Sequence, residues 1–140
     1  MKKIILTWIV LLGVVGLTYA QAQKTLVKTL AIEKETQEAI FALTGDVEVI
    51  EWENETIRIM TTITTPNTAE NVIKALVAAG RYDYKMVVDK ENQTITIDMP
   101  KKDRPILING VDLDDQLNFK IYIPQGMKYR IGTADTFMLM

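Results

Sequence analysis

The stretch from Thr44 to Thr65 restricts the chain to a β-rich fold. β-Branched residues dominate it, and they suit a pleated, half-buried surface better than a helix. Glu53-Asn54-Glu55 is polar and fits a connecting turn. We therefore predict one β-hairpin over this stretch. Its apolar side chains fall mainly at every second position on the two arms: Val47, Val49, Ile57, Ile59 and Ile63.

Trp52 lies at the end of the first predicted arm. A tryptophan there packs across the hairpin or onto the helix that follows, or it stacks on a ligand. Packing is the interpretation that the sequence favours, and ligand stacking stays open.

The same alternation predicts further strands. They are near Leu30–Ile32 and over Ala39–Leu43, Arg81–Val88, Gln93–Met99, Ile106–Ile108, Leu117–Pro124 and Met127–Ile131. Arg81–Val88 and Gln93–Met99 are predicted to form a second hairpin, and Asn109-Gly110 marks a tight turn.

One helix is predicted over Thr68–Ala79, because its apolar residues recur at helical spacing. Asn67 and Glu70 match a capping box, and Gly80 suits the C-terminal end. The expected fold class is mainly β with one helix packed on the sheet, built mostly from antiparallel hairpins.

The first 22 residues have the layout of a secretory signal peptide. Lys2 and Lys3 precede an apolar run over Ile4–Leu17, and cleavage fits after Ala20 or Ala22. A membrane span needs about 20 apolar residues, so a retained anchor is the lesser alternative. We expect a signal peptide over 1–22 and a single β-rich domain over 23–140, exported to the periplasm or the cell surface.

Composition disfavours several functional classes. Loss of Lys2 and Lys3 with the signal changes the formal charge from -2 to -4, whereas nucleic-acid binders carry basic patches. The chain has no histidine and no cysteine, which removes the commonest general base, thiol catalysis and thiolate metal sites. We therefore expect a non-catalytic protein with no catalytic, cofactor-binding or metal-binding residues and no nucleic-acid partner.

Acidic residues offer the remaining site hypotheses. Asp112, Asp114 and Asp115 form a cluster that predicts either a calcium site or a solvated loop. Glu51 with Glu53, or Asp114 with Asp115, would serve acid–base hydrolysis if one pocket held both members. Solvated acidic turns are the favoured interpretation of both pairs.

The central stretch resembles a known family. Gly45-Asp46-Val47-Glu48-Val49, then Trp52, then Ile57-Arg58-Ile59 are similar to the opening of the DUF4097 adhesin-like family of secreted bacterial proteins, and Leu117–Met127 resembles a later segment of it. The start of the chain also resembles exported proteins of the Bacteroidetes type. The resemblance spans roughly Leu30–Ile131 and implies a β-rich exported domain, often a β-solenoid, with no catalytic residues to carry over.

The C-terminus departs from that family. Members usually continue into glycine-rich coils after the turn at Pro124-Gln125-Gly126, whereas this sequence ends in the apolar tail Thr136–Met140. An open sheet end invites self-association.

Three functional hypotheses follow. The leading one is an adhesin-like interaction module of the envelope or cell surface, with an unknown partner there and membrane contact only through an uncleaved signal segment. The alternatives are a carboxylate-based hydrolase of envelope glycans and a truncated solenoid that needs a partner chain to complete its sheet.

Overall fold

The computed structural model of the chain describes residues 22–66 and 68–132. Ten strands and a single helix occupy these ranges, which confirms the mainly β class with one helix. The predicted signal peptide lies outside the described residues except for Ala22, as do the proposed cap Asn67 and the tail Thr136–Met140. The elements are β1 (Ala22–Ala31), β2 (Glu38–Ala42), β3 (Asp46–Trp52), β4 (Thr56–Thr65), α1 (Glu70–Ala78), β5 (Lys85–Asp89), β6 (Thr94–Asp98), β7 (Leu107–Ile108), β8 (Val111–Asp112), β9 (Gln116–Pro124) and β10 (Lys128–Gly132).

The strands form two four-stranded sheets and a small ribbon. The first sheet has the order β1-β4-β9-β3, the second has the order β10-β2-β6-β5, and β7 pairs with β8. Antiparallel pairs are present as predicted, but β3–β9, β2–β6 and β10–β2 pair in parallel. The predicted start of a solenoid and the packing of the helix on a sheet face are not confirmed.

The predicted hairpin over Thr44–Thr65 is wrong in its pairing. β9 lies between its two arms, parallel to β3 and antiparallel to β4. The link Glu53–Glu55 therefore crosses a gap of two strand spacings, about 10 Å, which three residues can span. The central position suits β9 because one face of it is buried throughout, at Leu117, Phe119, Ile121 and Ile123. We refer to β3 and β4 as the split hairpin.

Two short-range predictions are confirmed. β5 and β6 pair as an antiparallel hairpin, although the first strand begins at Lys85 rather than at Arg81. β7 and β8 are joined through Asn109 and Gly110, whose φ angles of 52° and 79° suit a type I′ turn.

The helix begins later than predicted, at Glu70, after an Ala69 N-cap that offers no side-chain hydrogen bond. Its C-terminal end matches the prediction at Gly80, which has a φ of 84°. The Gly80 amide donates to the Val77 carbonyl and the Arg81 amide donates to the Leu76 carbonyl, which is the Schellman pattern. No helix in the described ranges is long and apolar enough to cross a membrane.

The core joins side chains of both sheets and of α1. Ile73 of the helix is fully buried, and the helix contacts β1. Tyr84, just before β5, shares a hydrogen bond with Thr61 on the buried face of β4, so the second sheet is also tied to the first through a polar contact. Because two inner faces are apolar, burial of their side chains is the main stabilising term. The buried apolar residues are Leu30, Ala39, Phe41, Leu43, Ile57, Ile59, Ile63, Ile73, Tyr82, Ile95, Ile97, Met99, Leu117, Phe119, Ile121, Ile123 and Met127.

Candidate functional site

The outer face of the first sheet carries the side chains that alternate with the buried ones on β3, β4 and β9. Successive side chains of a strand point to opposite faces, so these residues share one surface. The strand register aligns them in rows across the sheet. The rows are Asp46, Asn118 and Thr62; Glu48, Lys120 and Met60; and Ile50, Tyr122 and Arg58.

Three of the side chains at one end of this face form what we call the aromatic cluster: Trp52, Tyr122 and Arg58. The two ring centroids are 5.3 Å apart, with the ring planes tilted by 35°. The Arg58 guanidinium carbon lies 5.0 Å from the Trp52 ring centroid, within cation–π range. The split hairpin and the inserted β9 each supply part of the cluster.

The Trp52 ring is held in a fixed orientation. Its Nε1–H donates a hydrogen bond of 2.8 Å to the Thr56 carbonyl oxygen at the start of β4. The ring therefore packs across the split hairpin, as one of the sequence interpretations expected, and contacts Tyr122 of β9. A side chain fixed in this way loses little rotamer freedom when a ligand contacts it.

A groove of 300 Å³ adjoins the cluster on the same face. Lys120 links the two, since its Nζ lies 5.8 Å from the Tyr122 ring centroid. We call this cavity the outer-face groove. No sequence pattern predicted it, because its residues come from strands that are distant in the chain. The lining residues are Asp46, Val47, Glu48, Met60, Thr62, Asn118, Phe119 and Lys120.

The predicted acidic cluster does not form a calcium site. Asp112 and Asp114 are exposed, whereas the Asp115 side chain is buried against two cations. Among the described residues, no group of three or more acidic side chains is arranged to hold a metal ion. The solvated-loop alternative also fails for Asp115, because this carboxylate lies inside the protein.

Four donor atoms on three side chains, from two segments of the chain, surround the Asp115 carboxylate. Arg81 donates from Nε to Oδ2 at 2.9 Å and from Nη2 to Oδ1 at 3.2 Å, and the Tyr82 hydroxyl donates to Oδ2 at 2.7 Å. Lys102 Nζ lies 3.4 Å from Oδ1. Sequence reasoning missed this network because it placed Arg81 and Tyr82 on a strand.

Charge and hydrogen bonds decide the protonation of this network. Burial by itself raises the pKa of Asp115, but hydrogen bonds from Arg81 and Tyr82 and the charges of Lys102 and Arg81 outweigh it, so the pKa lies below its usual value. Burial lowers the pKa of Arg81, but the hydrogen bond and charge of Asp115 reverse that effect and raise it. The carboxylate is therefore ionised, and the positive charges of Arg81 and Lys102 balance it. We interpret Asp115 as a residue that stabilises the fold.

None of the four cavities found among the described residues is lined by the carboxylate pairs that were considered for hydrolysis, for which solvated turns were the favoured interpretation. Glu51, Glu53 and Asp114 are exposed, and Asp115 is engaged by Arg81. A cleft of 380 Å³ at the end of the sheets is instead bordered by Glu33 and Glu55, both exposed. The rest of its lining is Ile32, Lys34, Thr36, Gln37, Pro124, Gln125, Gly126, Met127 and Lys128.

Comparisons with known proteins add no further assignment. No protein-family model, no curated protein and no solved structure matches the chain. The resemblance of Gly45–Val49, Trp52 and Leu117–Met127 to the DUF4097 adhesin-like family therefore stays a prediction.

Proposed function

We propose that the chain is a non-catalytic exported protein of the DUF4097 adhesin-like type, an interaction module that binds its partner in the envelope or at the cell surface. The signal-like start and the absence of histidine and cysteine from the 140 residues support this proposal. The binding surface is the outer face of the first sheet.

One observation carries the proposal: a fixed aromatic cluster lies beside a polar groove on an otherwise regular sheet face. β4 and β9 are each paired on both sides, so their backbone groups are satisfied within the sheet. β3 is an edge strand among the described residues, but the backbone groups of a strand point along the sheet plane, so a partner on the face is recognised through side chains. Side chains held by a rigid sheet are well placed for that role.

The test measures binding of the exported chain to isolated bacterial envelopes by co-sedimentation. We expect saturable binding that weakens by about tenfold or more in Tyr122→Ala, because a ring contact in an interface is worth on the order of 1.4 kcal/mol or more. Tyr129→Ala is the matched control, since Tyr129 is an exposed strand tyrosine of the second sheet, 45% exposed. Absence of envelope binding, or equal loss in both variants, would contradict the proposal.

The cleft favours one alternative, a carboxylate-based hydrolase of envelope glycans. Glu33 and Glu55 border the same cleft, and two carboxylates flanking a bond are the arrangement that glycosidases use. Hydrolysis of soluble envelope glycan that disappears in both Glu33→Gln and Glu55→Gln would establish this alternative. Turnover that is absent from the unaltered chain would exclude it for the glycan tested.

A second alternative, the truncated solenoid completed by a partner chain, is favoured by β10. By register with Ala39 and Phe41, the side chains of Tyr129 and Ile131 point to the core side of the second sheet. They are nevertheless 45% and 42% exposed, and no described strand pairs with the other edge of β10. Sedimentation equilibrium of the exported chain decides this alternative, because a stable monomer contradicts a chain that needs a partner to fold.

A further inference from the structure

The outer-face groove offers both kinds of hydrogen-bonding group side by side. Asp46 and Glu48 accept only, Lys120 donates only, and Asn118 and Thr62 do both. A ligand whose groups all donate and accept, such as a polyhydroxylated ring, can satisfy every one of them. A ligand with only one kind of group would leave several unpaired.

The aromatic cluster supplies the complementary apolar surface. Tyr122 and Lys120 are two positions apart on β9, so their side chains leave the same face about 7 Å apart. A sugar ring has an apolar C–H face and a rim of hydroxyls, and it can lie against an aromatic ring while neighbouring sugars reach the groove. Because Arg58 lies over the Trp52 ring, we assign the sugar contact to Tyr122, which the fixed Trp52 ring supports from the side.

Other ligand classes fit this face less well. A peptide strand that adds to a sheet pairs with the backbone of an edge strand; here it would add beside β3, in the plane of the sheet, and would not lie in the groove over β9, which is flanked by β3 and β4. A nucleic acid needs an excess of cations, but the groove and the aromatic cluster together have two carboxylates against one ammonium and one guanidinium group. An apolar helix needs an apolar groove. Five of the eight residues that line this groove are polar or charged.

We propose that the outer-face groove and the aromatic cluster bind an uncharged oligosaccharide chain, which lies along β9 from Asn118 to Tyr122. This inference rests on the proposed function and names the ligand class of the same face. A glycan reaches the site from the exposed side of the sheet, and no backbone rearrangement is required.

Trp52 provides a direct readout. The whole chain has two tryptophans, Trp8 and Trp52, and cleavage after Ala20 or Ala22 leaves only the second. The exported chain, with its N-terminus verified by mass spectrometry, is titrated with cellohexaose, hexa-N-acetylchitohexaose, xylohexaose and mannohexaose. We expect a saturable change in tryptophan emission with at least one of these probes and none with heparin, a polyanion.

Three variants locate the effect. Tyr122→Ala and Asn118→Ala each weaken binding of the responding sugar by about tenfold or more, whereas Tyr129→Ala leaves it unchanged. Asn118 is exposed and outside the core, so Asn118→Ala keeps the test valid if Tyr122→Ala fails to fold. A response that persists in both Tyr122→Ala and Asn118→Ala overturns the inference.

The outcomes separate this inference from the proposed function. Envelope binding that depends on Tyr122, together with no response to any of the four sugars, rejects the oligosaccharide and retains the interaction module. A response to heparin alone rejects it as well, because the ligand is then a polyanion. If the unaltered chain binds neither the envelopes nor any of the four sugars, both proposals are rejected.

Discussion

Arg81 and Asp115 form a buried ion pair, with Nε 2.9 Å from Oδ2, that joins the end of α1 to the residue before β9. The same guanidinium donates from Nη1 to the Arg104 carbonyl oxygen at 2.7 Å and to the Lys101 carbonyl oxygen at 3.4 Å. One side chain therefore fixes the helix end, the connector after β6 and the entry to the strand that completes the first sheet. The position of the candidate site on β9 depends on this junction.

Asp115→Ala removes the carboxylate and leaves Arg81 buried without its charge partner. Loss of one member of a buried pair costs about 3–5 kcal/mol, so we expect the free energy of unfolding to fall by that amount. The control is Asp114→Ala at the exposed neighbouring position, with an expected change within about 0.5 kcal/mol. Chemical denaturation measures both, and similar small losses would show that the ion pair contributes little.

The Arg81–Asp115 ion pair should also make the stability of the protein depend on pH in the acidic range. The pKa of Asp115 is lower in the folded chain than its usual value of about 3.9, so the folded state binds fewer protons than the unfolded state. Its contribution to stability is complete above that usual pKa and is lost as the pH falls through the folded pKa. We expect the free energy of unfolding, measured from neutral pH downward, to decrease more steeply below about pH 4 in the wild type than in Asp115→Asn. Parallel curves would contradict this assignment.

The insertion of β9 into the split hairpin predicts the pattern of amide exchange. Amides between Leu117 and Ile123 lie in a strand that is paired on both sides, so we expect them to exchange among the slowest. Amides of β5 serve as the comparison, because that strand lies at an edge of the second sheet. If β3 and β4 instead paired directly, β9 would be an edge strand and would exchange as fast as β5.

Gly45 allows the close approach of the β2–β3 link to β9. Its φ is 144°, and a Cβ placed there would lie 2.3 Å from the Leu117 carbonyl oxygen. We expect Gly45→Ala to lower the free energy of unfolding by at least about 2 kcal/mol, since backbone strain and a backbone clash add. Gly126 has a φ of 81°, but a Cβ placed there would have no atom of the described residues within 4 Å. Gly126→Ala is therefore the matched control and should cost only about 1–2 kcal/mol. Equal effects would mean that the contact with β9 is absent.

The sequence predicted those parts of the fold that local chemistry decides. Asn109-Gly110 formed the turn that its left-handed preference favours, and Gly80 ended the helix. The β5–β6 hairpin also followed from alternation and a short polar turn. In each case the information lies within a few residues of the chain.

Long-range pairing could not be predicted in this way. Nothing in Thr44–Thr65 shows that β9, more than fifty residues later in the chain, enters between its arms. Because the aromatic cluster and the outer-face groove need that insertion, the sequence singled out Trp52 but not Tyr122 or Lys120. The sequence singled out Asp115 as part of an acidic cluster but missed its buried ion pair for a related reason, since its partner Arg81 is 34 positions away.

Hydroxyl-radical footprinting of the chain from Gln23 onward, free and bound to isolated envelopes, tests most directly whether the outer face of the first sheet is the binding surface. Trp52, Tyr122 and Met60 are reactive side chains on that face, and Met86 and Tyr129 are reactive exposed side chains on the second sheet. We predict that binding protects the first three and leaves the last two unchanged. Protection of Met86 or Tyr129, with Trp52 and Tyr122 still reactive, would contradict the assignment of the binding surface.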